Sequence, residues 1–232
     1  SYISPKTKQT MNKQQKLIEE NAVKFGIYFD ALTEWNEKIN LTAITGKEEV
    51  FVKHFEDSLY GEQYIARGSS LCDVGTGAGF PGVPLKIARN DIRLTLMDSL
   101  NKRITFLLGL TARLGVGAEC VHTRAEDAAR GKYRESFDVV TARAVARLNT
   151  LAEYCLPLVK VGGVFLAYKT ADADELKEGA RALKILGGQV EKTDVFTLSN
   201  GDSRSIIVIR KVSATPAKYP RGKGKERSAP IV

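Results

Sequence analysis

The chain has 232 residues, of which 43% are hydrophobic and 27% are charged, so it can bury a substantial core beneath a polar surface. Lysine and arginine number 35 against 27 aspartates and glutamates, which gives a net charge of +8. This composition excludes a disordered, collagen-like or coiled-coil chain, and the sequence contains no apolar run of the ~18–20 residues that would cross a bilayer.

The first 67 residues are predicted to form an N-terminal helical extension. After a polar leader over 1–16, apolar residues recur at helical spacing between about 13 and 38, in one or two helices broken near Gly26. A second stripe predicts a helix over about 48–60. We interpret the aromatic residues of both stripes as packing surface, because so short a segment is not expected to fold by itself.

Residues 68–212 are predicted to form the main domain, in which strands alternate with helices. Strands are predicted over 70–74, 92–97, 118–123, 137–142, 164–168, 190–198 and 205–211, and helices from the glycine-rich turn to 89 and over 101–114, 148–158 and 172–186. This alternation specifies an α/β fold with a mostly parallel sheet covered on both faces. The last two strands flank a short turn at Asn200-Gly201, so one strand must be antiparallel.

Residues 213–232 are predicted to form a basic C-terminal tail. From Arg210 onward the sequence contains seven basic residues and one acid, Glu226. Such a charge can attract a polyanion such as RNA, or it can simply keep a solvated tail soluble. The segment is rich in proline and glycine, so we expect it not to pack and to order only on bound RNA.

The start of the chain and its cysteines indicate a cytoplasmic protein. The leader contains no apolar stretch typical of a signal peptide. Cys72, Cys120 and Cys155 are widely spaced and odd in number, which fits neither a disulfide framework nor paired zinc ligands. We expect a reducing compartment, and neither a metal site nor a membrane segment.

The most informative motif is a glycine-rich loop over 73–82, which leaves the first strand and opens a helix. Ligands sit at this place in doubly wound sheets. The loop contains Gly75, Gly77 and Gly79 and ends in Phe80-Pro81-Gly82. Alternating glycines allow positive φ angles and let the backbone approach a ligand closely.

Two ligands fit this loop. Gly77-x-Gly79-x-x-Gly82 matches the dinucleotide fingerprint, and Asp98 ends the next strand, where an acid binds ribose hydroxyls. However, a pyrophosphate requires free amides at the helix start, and the carboxylate of Asp73 is an unfavourable neighbour for it. The same carboxylate suits a cationic ligand such as S-adenosylmethionine, so we favour a methyl donor over a dinucleotide.

The fourth strand and the motifs that are missing constrain the methyl acceptor. Thr141, Ala142 and Arg143 end a buried strand beside the first one, where a methyltransferase would present its substrate. Arg143 has no evident structural reason to end such a strand. The sequence contains neither an Asn/Asp-Pro-Pro-Tyr/Phe run for an exocyclic amine nor a Pro-Cys nucleophile. An acceptor that is already nucleophilic, such as guanine N7, then needs alignment rather than a strong base.

Several further motifs resemble the glucose-inhibited division protein B family, bacterial methyltransferases that modify guanine N7 in small-subunit (16S) ribosomal RNA. Beside the glycine loop, the resemblance rests on stretches over 35–42, 54–59, 98–107, 124–126, 141–146 and 215–221. The resemblance covers nearly the whole chain. No motif departs from the family pattern in a way that would indicate an inactive enzyme.

The resemblance implies a class I, Rossmann-like S-adenosylmethionine-dependent methyltransferase that acts on 16S rRNA or the small ribosomal subunit. We expect the protein to be a monomer. Two alternatives stay open: a methyltransferase that acts on another RNA or on a small molecule, and a protein that binds RNA without catalysing a reaction. The cofactor contacts expected from the loop and the resemblance are Asp73, Gly75, Gly77, Gly79, Phe80, Asp98, Ala125, Glu126 and Arg143. We expect RNA contacts from Lys102, Arg103, Arg147, Lys218, Arg221 and Lys223. Arg143 and Asn40 are the catalytic candidates, although Asn40 could equally cap a helix or turn.

Overall fold

The computed structural model of the protein describes residues 10–170 and 172–232. Its centre is a seven-stranded sheet with the strands β1 (Ser70–Val74), β2 (Arg93–Asp98), β3 (Ala118–His122), β4 (Phe137–Arg143), β5 (Val159–Lys169), β6 (Gly188–Thr197) and β7 (Ser203–Lys211). Their order is β3-β2-β1-β4-β5-β7-β6. Neighbours from β3 to β5 are parallel, and β7 is antiparallel to both β5 and β6. The predicted fold class is confirmed.

Helices cover both faces of the sheet. They are α1 (Lys13–Glu20), α2 (Ala22–Asn36), α3 (Lys47–Val50), α4 (Asp57–Leu59), α5 (Gly82–Ala88), α6 (Asn101–Leu114), α7 (Ala125–Ala128), α8 (Leu148–Cys155), α9 (Ala173–Leu186) and α10 (Lys225–Ser228). A π-helical segment, Phe51–Glu56, joins α3 to α4, and 3₁₀ turns lie at Glu62–Tyr64 and Leu156–Leu158. Within the described residues, none of these helices is both long enough and apolar enough to span a membrane.

The strand order reverses beside β1, and this reversal positions the site. β1 pairs in parallel with β2 on one side and with β4 on the other, so Val74, Asp98 and Arg143 lie at the same edge of the sheet. The connections that leave β1 and β4 run to opposite sides, which opens a crevice at that edge. The prediction that the glycine loop faces a cleft follows from this topology.

Two predicted element boundaries are wrong. The first helical segment breaks at Asn21 rather than at Gly26, because the Asn21 side chain donates to the Leu17 carbonyl at 2.9 Å and ends α1, whereas Gly26 lies inside α2. Strand β5 begins at Val159 rather than at 164, because Val159 already pairs with Phe137 of β4; an irregularity that contains Gly162 and Gly163 separates this pair from the regular pairing that starts at Val164.

The helical extension packs on the sheet domain, as its aromatic stripes predict. Phe25 and Phe55 are fully buried and share a core cluster with residues of β1 and β2. The ring of Tyr28 stacks on Phe80 at 5.3 Å, and its hydroxyl donates to the Ala78 carbonyl at 2.6 Å. A helix outside the sheet domain therefore supports the glycine loop.

The expectation that the tail does not pack is wrong. Tyr219 and Ile231 are buried in the same core cluster as α8, and α10 contacts α8. The guanidinium of Arg221 binds the carboxylate of Glu153, whose side chain is only 1% exposed, at 2.8 Å. Proline and glycine prevent long helices here, but buried contacts to distant residues hold the segment in place.

Candidate active site

The glycine loop adopts the backbone that its sequence predicts. Gly75, Gly77 and Gly79 have φ angles of 61°, 58° and 102°, in the left-handed region that favours glycine. A Cβ on Gly75 would also lie 2.9 Å from a methyl of Val145, the residue that faces it from beyond β4. Glycine at 75 therefore lets Val145 pack against the loop between the ends of β1 and β4.

Asp73 lies buried beneath this loop. Its carboxylate is fully buried and accepts hydrogen bonds from the Thr76 hydroxyl at 2.7 Å, the Thr141 hydroxyl at 2.9 Å and the Gly82 amide at 2.9 Å. Since Gly82 begins α5, the helix already binds an internal carboxylate where a pyrophosphate would need its amides. The charge argument against a dinucleotide holds, but Asp73 acts by shaping the loop.

Replacing Asp73 by asparagine should change how stability depends on pH. Burial raises the pKa of the Asp73 carboxyl from 3.8 to about 6, despite its hydrogen bonds. The folded state then binds the proton more tightly than the unfolded state, so this stabilisation is complete below about pH 4 and is lost as the pH rises through 6. Between these values the stability of the wild-type protein relative to D73N should fall by on the order of 2–3 kcal/mol. Urea unfolding from pH 4 to 8 measures this, and parallel curves would contradict it.

Asp98 lies in a cavity of about 190 Å³ that we call the glycine-loop cleft. Its carboxylate accepts from the amides of Gly77 and Leu100, both at 2.9 Å, and is 2% exposed. The cleft is lined by Val74, Gly75, Met97, Asp98, Ser99, Thr123, Arg124, Ala125, Glu126, Val145, Tyr154 and Arg227. The structure thus brings together four of the expected cofactor contacts, which come from the ends of three strands.

A second cavity, of about 500 Å³, adjoins this cleft, and we call it the arginine cavity. It is lined by Ile44, Lys53, His54, Asp57, Arg143, Ala144, Val145, Ala146, Arg147, Tyr168, Lys169, Thr170, Glu175 and Arg204. Val145 lines both cavities. Five of the lining side chains are basic and two are acidic, so the cavity favours an anionic ligand.

Arg143 connects the sheet to the helical extension inside this cavity. Its guanidinium donates to Asp57 at 3.0 Å, to the Lys53 carbonyl at 3.2 Å and to His54 Nδ1 at 2.8 Å. It also lies over the Phe80 ring at 5.0 Å. The expectation that this arginine lacks a structural reason is therefore wrong, because it neutralises the buried carboxylate of Asp57, which is 6% exposed.

His54 is held neutral by the same network. A guanidinium can only donate, so Nδ1 of His54 accepts from Arg143 and the ring proton is on Nε2, 2.8 Å from the Thr42 hydroxyl. Burial, followed by the charges of Arg143 and Lys53, lowers the pKa of His54 to about 3. The imidazole also stacks on Phe80 at 4.4 Å. It is thus a packed, uncharged residue of the cavity wall at neutral pH.

Gly77, Gly79, Phe80 and Asn40, which the sequence also proposes as site residues, line neither of the two cavities. Gly77 and Gly79 shape the loop, and Phe80 is buried between Tyr28 and His54. Asn40 is exposed, lines neither cavity and caps no helix; instead the Asn36 side chain accepts from the Leu41 and Thr42 amides and orders this turn.

The residues expected to contact RNA lie in three places: the arginine cavity, the first turn of α6 and the tail. Arg147 lines the arginine cavity and pairs with Glu178 at 2.8 Å. Lys102 and Arg103 lie in the first turn of α6, where Arg103 approaches Asp98 at 3.5 Å. Lys218 and Lys223 are exposed in the tail, whereas the guanidinium of Arg221 is engaged by Glu153.

Sequence reasoning missed several residues of the two cavities. Lys169 and Arg204 line the arginine cavity from β5 and β7, and Arg227 reaches the glycine-loop cleft from α10. Their positions depend on strand pairing and tail packing, and the only signal in the sequence was their charge.

Comparison with known proteins identifies the family. The sequence matches the family described as rRNA small subunit methyltransferase G over residues 21–207. It is 51% identical to the ribosomal RNA small subunit methyltransferase G of Macrococcus caseolyticus (strain JCSC5402), covering 94% of this chain and 93% of that one. The protein of the same name from Bacillus velezensis (strain FZB42) is 48% identical, with 99% and 97% covered.

Solved structures support the same fold at much lower identity. An O-methyltransferase from Bacillus cereus, crystallised in complex with S-adenosylhomocysteine, matches with a TM-score of 0.55 at 16% identity, covering 79% of this chain and 90% of that one. A ribosomal protein L11 methylase from Lactobacillus delbrueckii subsp. bulgaricus matches with a TM-score of 0.53 at 18% identity, with 68% and 79% covered. The resemblance noted in the sequence is confirmed, and the chain belongs to the rRNA small subunit methyltransferase G family of S-adenosylmethionine-dependent methyltransferases.

Proposed function

We propose that this protein transfers the methyl group of S-adenosylmethionine to N7 of a guanine in 16S ribosomal RNA, in the cytoplasm. The donor occupies the glycine-loop cleft, and the guanine enters the arginine cavity. The observation that carries this proposal is that the two cavities adjoin at Val145 and that the larger one has five basic side chains in its wall.

The residues of the glycine-loop cleft suit the methyl donor. Gly75 lines the cleft with bare backbone, which a ligand can approach closely, and Asp98 offers a carboxylate for ribose hydroxyls. Ala125 and Glu126 open α7, just after β3, where they would contact adenine. When bound, S-adenosylmethionine supplies an electrophilic methyl group on a positively charged sulfur.

The arginine cavity suits an acceptor that has no proton to lose. His54 Nδ1 is occupied by Arg143, Asp57 pairs with Arg143, and Glu175 pairs with Lys169 at 2.7 Å. These groups are engaged with one another and are poorly placed to act as a general base. Guanine N7 has a free in-plane lone pair, so it needs alignment with the methyl group and no general base.

Basic residues around the cavity would bind the RNA backbone. Lys53, Arg147 and Arg204 lie in its wall, and we propose that Lys102, Arg103, Lys218 and Lys223 extend this surface. Phosphate contacts position an RNA, whereas base contacts select the nucleotide. Arg221 is excluded from this set, because removing its charge from Glu153 would leave a buried carboxylate unpaired.

Labelled methyl transfer tests the function. The protein should transfer label from S-adenosylmethionine to 16S rRNA or small ribosomal subunits but not to free guanosine, and mass spectrometry should identify the product as 7-methylguanine. Label on another base, or efficient labelling of free guanosine, would contradict the proposal. Lys53→Ala should reduce the salt dependence of rRNA binding by about one phosphate contact. Lys160→Ala is the matched control. Lys160 lies near the start of β5, whereas Lys169 at its end lines the arginine cavity, so this substitution should leave the salt dependence of rRNA binding unchanged.

A further inference from the structure

The C-terminal tail returns to the site after crossing the surface of α8. The Arg134 side chain donates to the Tyr219 carbonyl at 2.8 Å, and the Thr150 hydroxyl donates to the Glu226 carbonyl at 2.8 Å. Glu226 is fully buried, and the Gly222 amide donates to its carboxylate. These contacts place α10 in a defined position beside the glycine-loop cleft.

Arg227 is the residue of α10 that enters this cleft. Its guanidinium donates to the Val145 carbonyl at 3.0 Å and lies over the ring of Tyr154 at 6.0 Å. The residue is exposed, so its remaining N–H groups and the free face of its guanidinium plane are accessible to a ligand. It lines the cleft together with Asp98 and Glu126.

We propose that Arg227 binds the methyl donor by packing its guanidinium plane against the adenosine part, an inference that rests on the proposed function of the cleft. Glu126 follows β3 and lines the cleft together with Tyr154 and Arg227, so Arg227 lies in the wall where the adenine is expected. A planar cation stacks well on an uncharged aromatic base. The positive sulfur would then lie away from Arg227, toward Gly75 and the arginine cavity.

The tail then has a role in binding the donor. Its basic charge alone predicts a contact with RNA or a solvated segment, but Arg227 faces the donor cleft and Arg221 anchors the segment to Glu153. The tail thus contributes Arg227 to the wall of the cleft. Donor affinity should therefore depend on a residue outside the sheet domain.

Calorimetric titration of the full-length protein with S-adenosylhomocysteine tests the proposal. Arg227→Ala should weaken binding about tenfold. Lys225→Ala removes the same charge from the same helix but from a residue that does not line the cleft, and it should bind like the wild type. Because Arg227 and Lys225 are both exposed, thermal unfolding of the two variants should match that of the wild type.

Two further comparisons locate the contact. Arg227→Ala should weaken binding of 5′-methylthioadenosine, which lacks the amino acid end, by the same factor as binding of S-adenosylhomocysteine. Arg227→Lys keeps a donor for the Val145 carbonyl but loses the planar group, so it should recover only part of the affinity. Full recovery in the lysine variant, or a loss confined to S-adenosylhomocysteine, would overturn the proposed contact.

The titrations distinguish a wrong role for Arg227 from a wrong assignment of the donor cleft. If the wild-type protein binds S-adenosylhomocysteine and Arg227→Ala binds it equally well, only the inference is overturned. If the wild-type protein binds neither probe, the assignment of the cleft itself is wrong.

Discussion

Replacing Arg143 by alanine is expected to abolish methyl transfer and to lower the free energy of unfolding by about 3–5 kcal/mol, because the buried carboxylate of Asp57 loses its main partner. Arg204 approaches Asp57 only at 4.0 Å and cannot replace the short ion pair. The variant also frees His54 Nδ1 and removes a cation from the wall where the acceptor enters. Urea unfolding and a methyl-transfer assay measure the two effects.

A double variant separates the structural part of this effect from the chemical part. Adding Asp57→Asn to Arg143→Ala removes the unpaired buried charge, so most of the lost stability should return. Methyl transfer should stay low, because the guanidinium beside the acceptor is still missing. If Arg143→Ala is as stable as the wild type, the ion pair does not hold the helical extension; if the double variant regains full activity, Arg143 is only structural.

Replacing Asp98 by alanine is expected to weaken S-adenosylhomocysteine binding by about a hundredfold or more. Two hydrogen bonds from ribose hydroxyls to a carboxylate are each worth about 1.5–3 kcal/mol, and both are lost. The amides of Gly77 and Leu100 lose their acceptor as well, so the glycine loop should become less ordered. Calorimetric titration measures the affinity.

The controls for Asp98 use the same cleft. Asp98→Asn keeps one acceptor oxygen and should lie between the wild type and the alanine variant. A nicotinamide dinucleotide should not bind the wild-type protein, because Asp73 occupies the Gly82 amide at the start of α5. Affinity for S-adenosylhomocysteine within twofold of the wild type in Asp98→Ala, or tight binding of the dinucleotide, would contradict the assignment of the cleft.

The sequence by itself determined the fold class and the core of the donor cleft. Apolar strands that alternate with helices specify a parallel sheet, and parallel strands end at one edge, so Gly75 and Asp98 had to meet there. The positive φ angles of the glycine loop are also local, because they follow from the absence of a Cβ. These features depend on residues close in sequence and on the general geometry of a doubly wound sheet.

Only the tertiary structure decided how the charged residues are used. Arg143 contacts Asp57 across 86 positions, and Arg227 contacts Val145 across 82, through packing of the helical extension and the tail that no local pattern encodes. The sequence predicts Asp73 as a ligand contact, whereas in the structure it is buried and accepts three hydrogen bonds from within the fold. The cost of leaving a charge unpaired in the interior selects each partner, and those partners become neighbours only once the chain has folded.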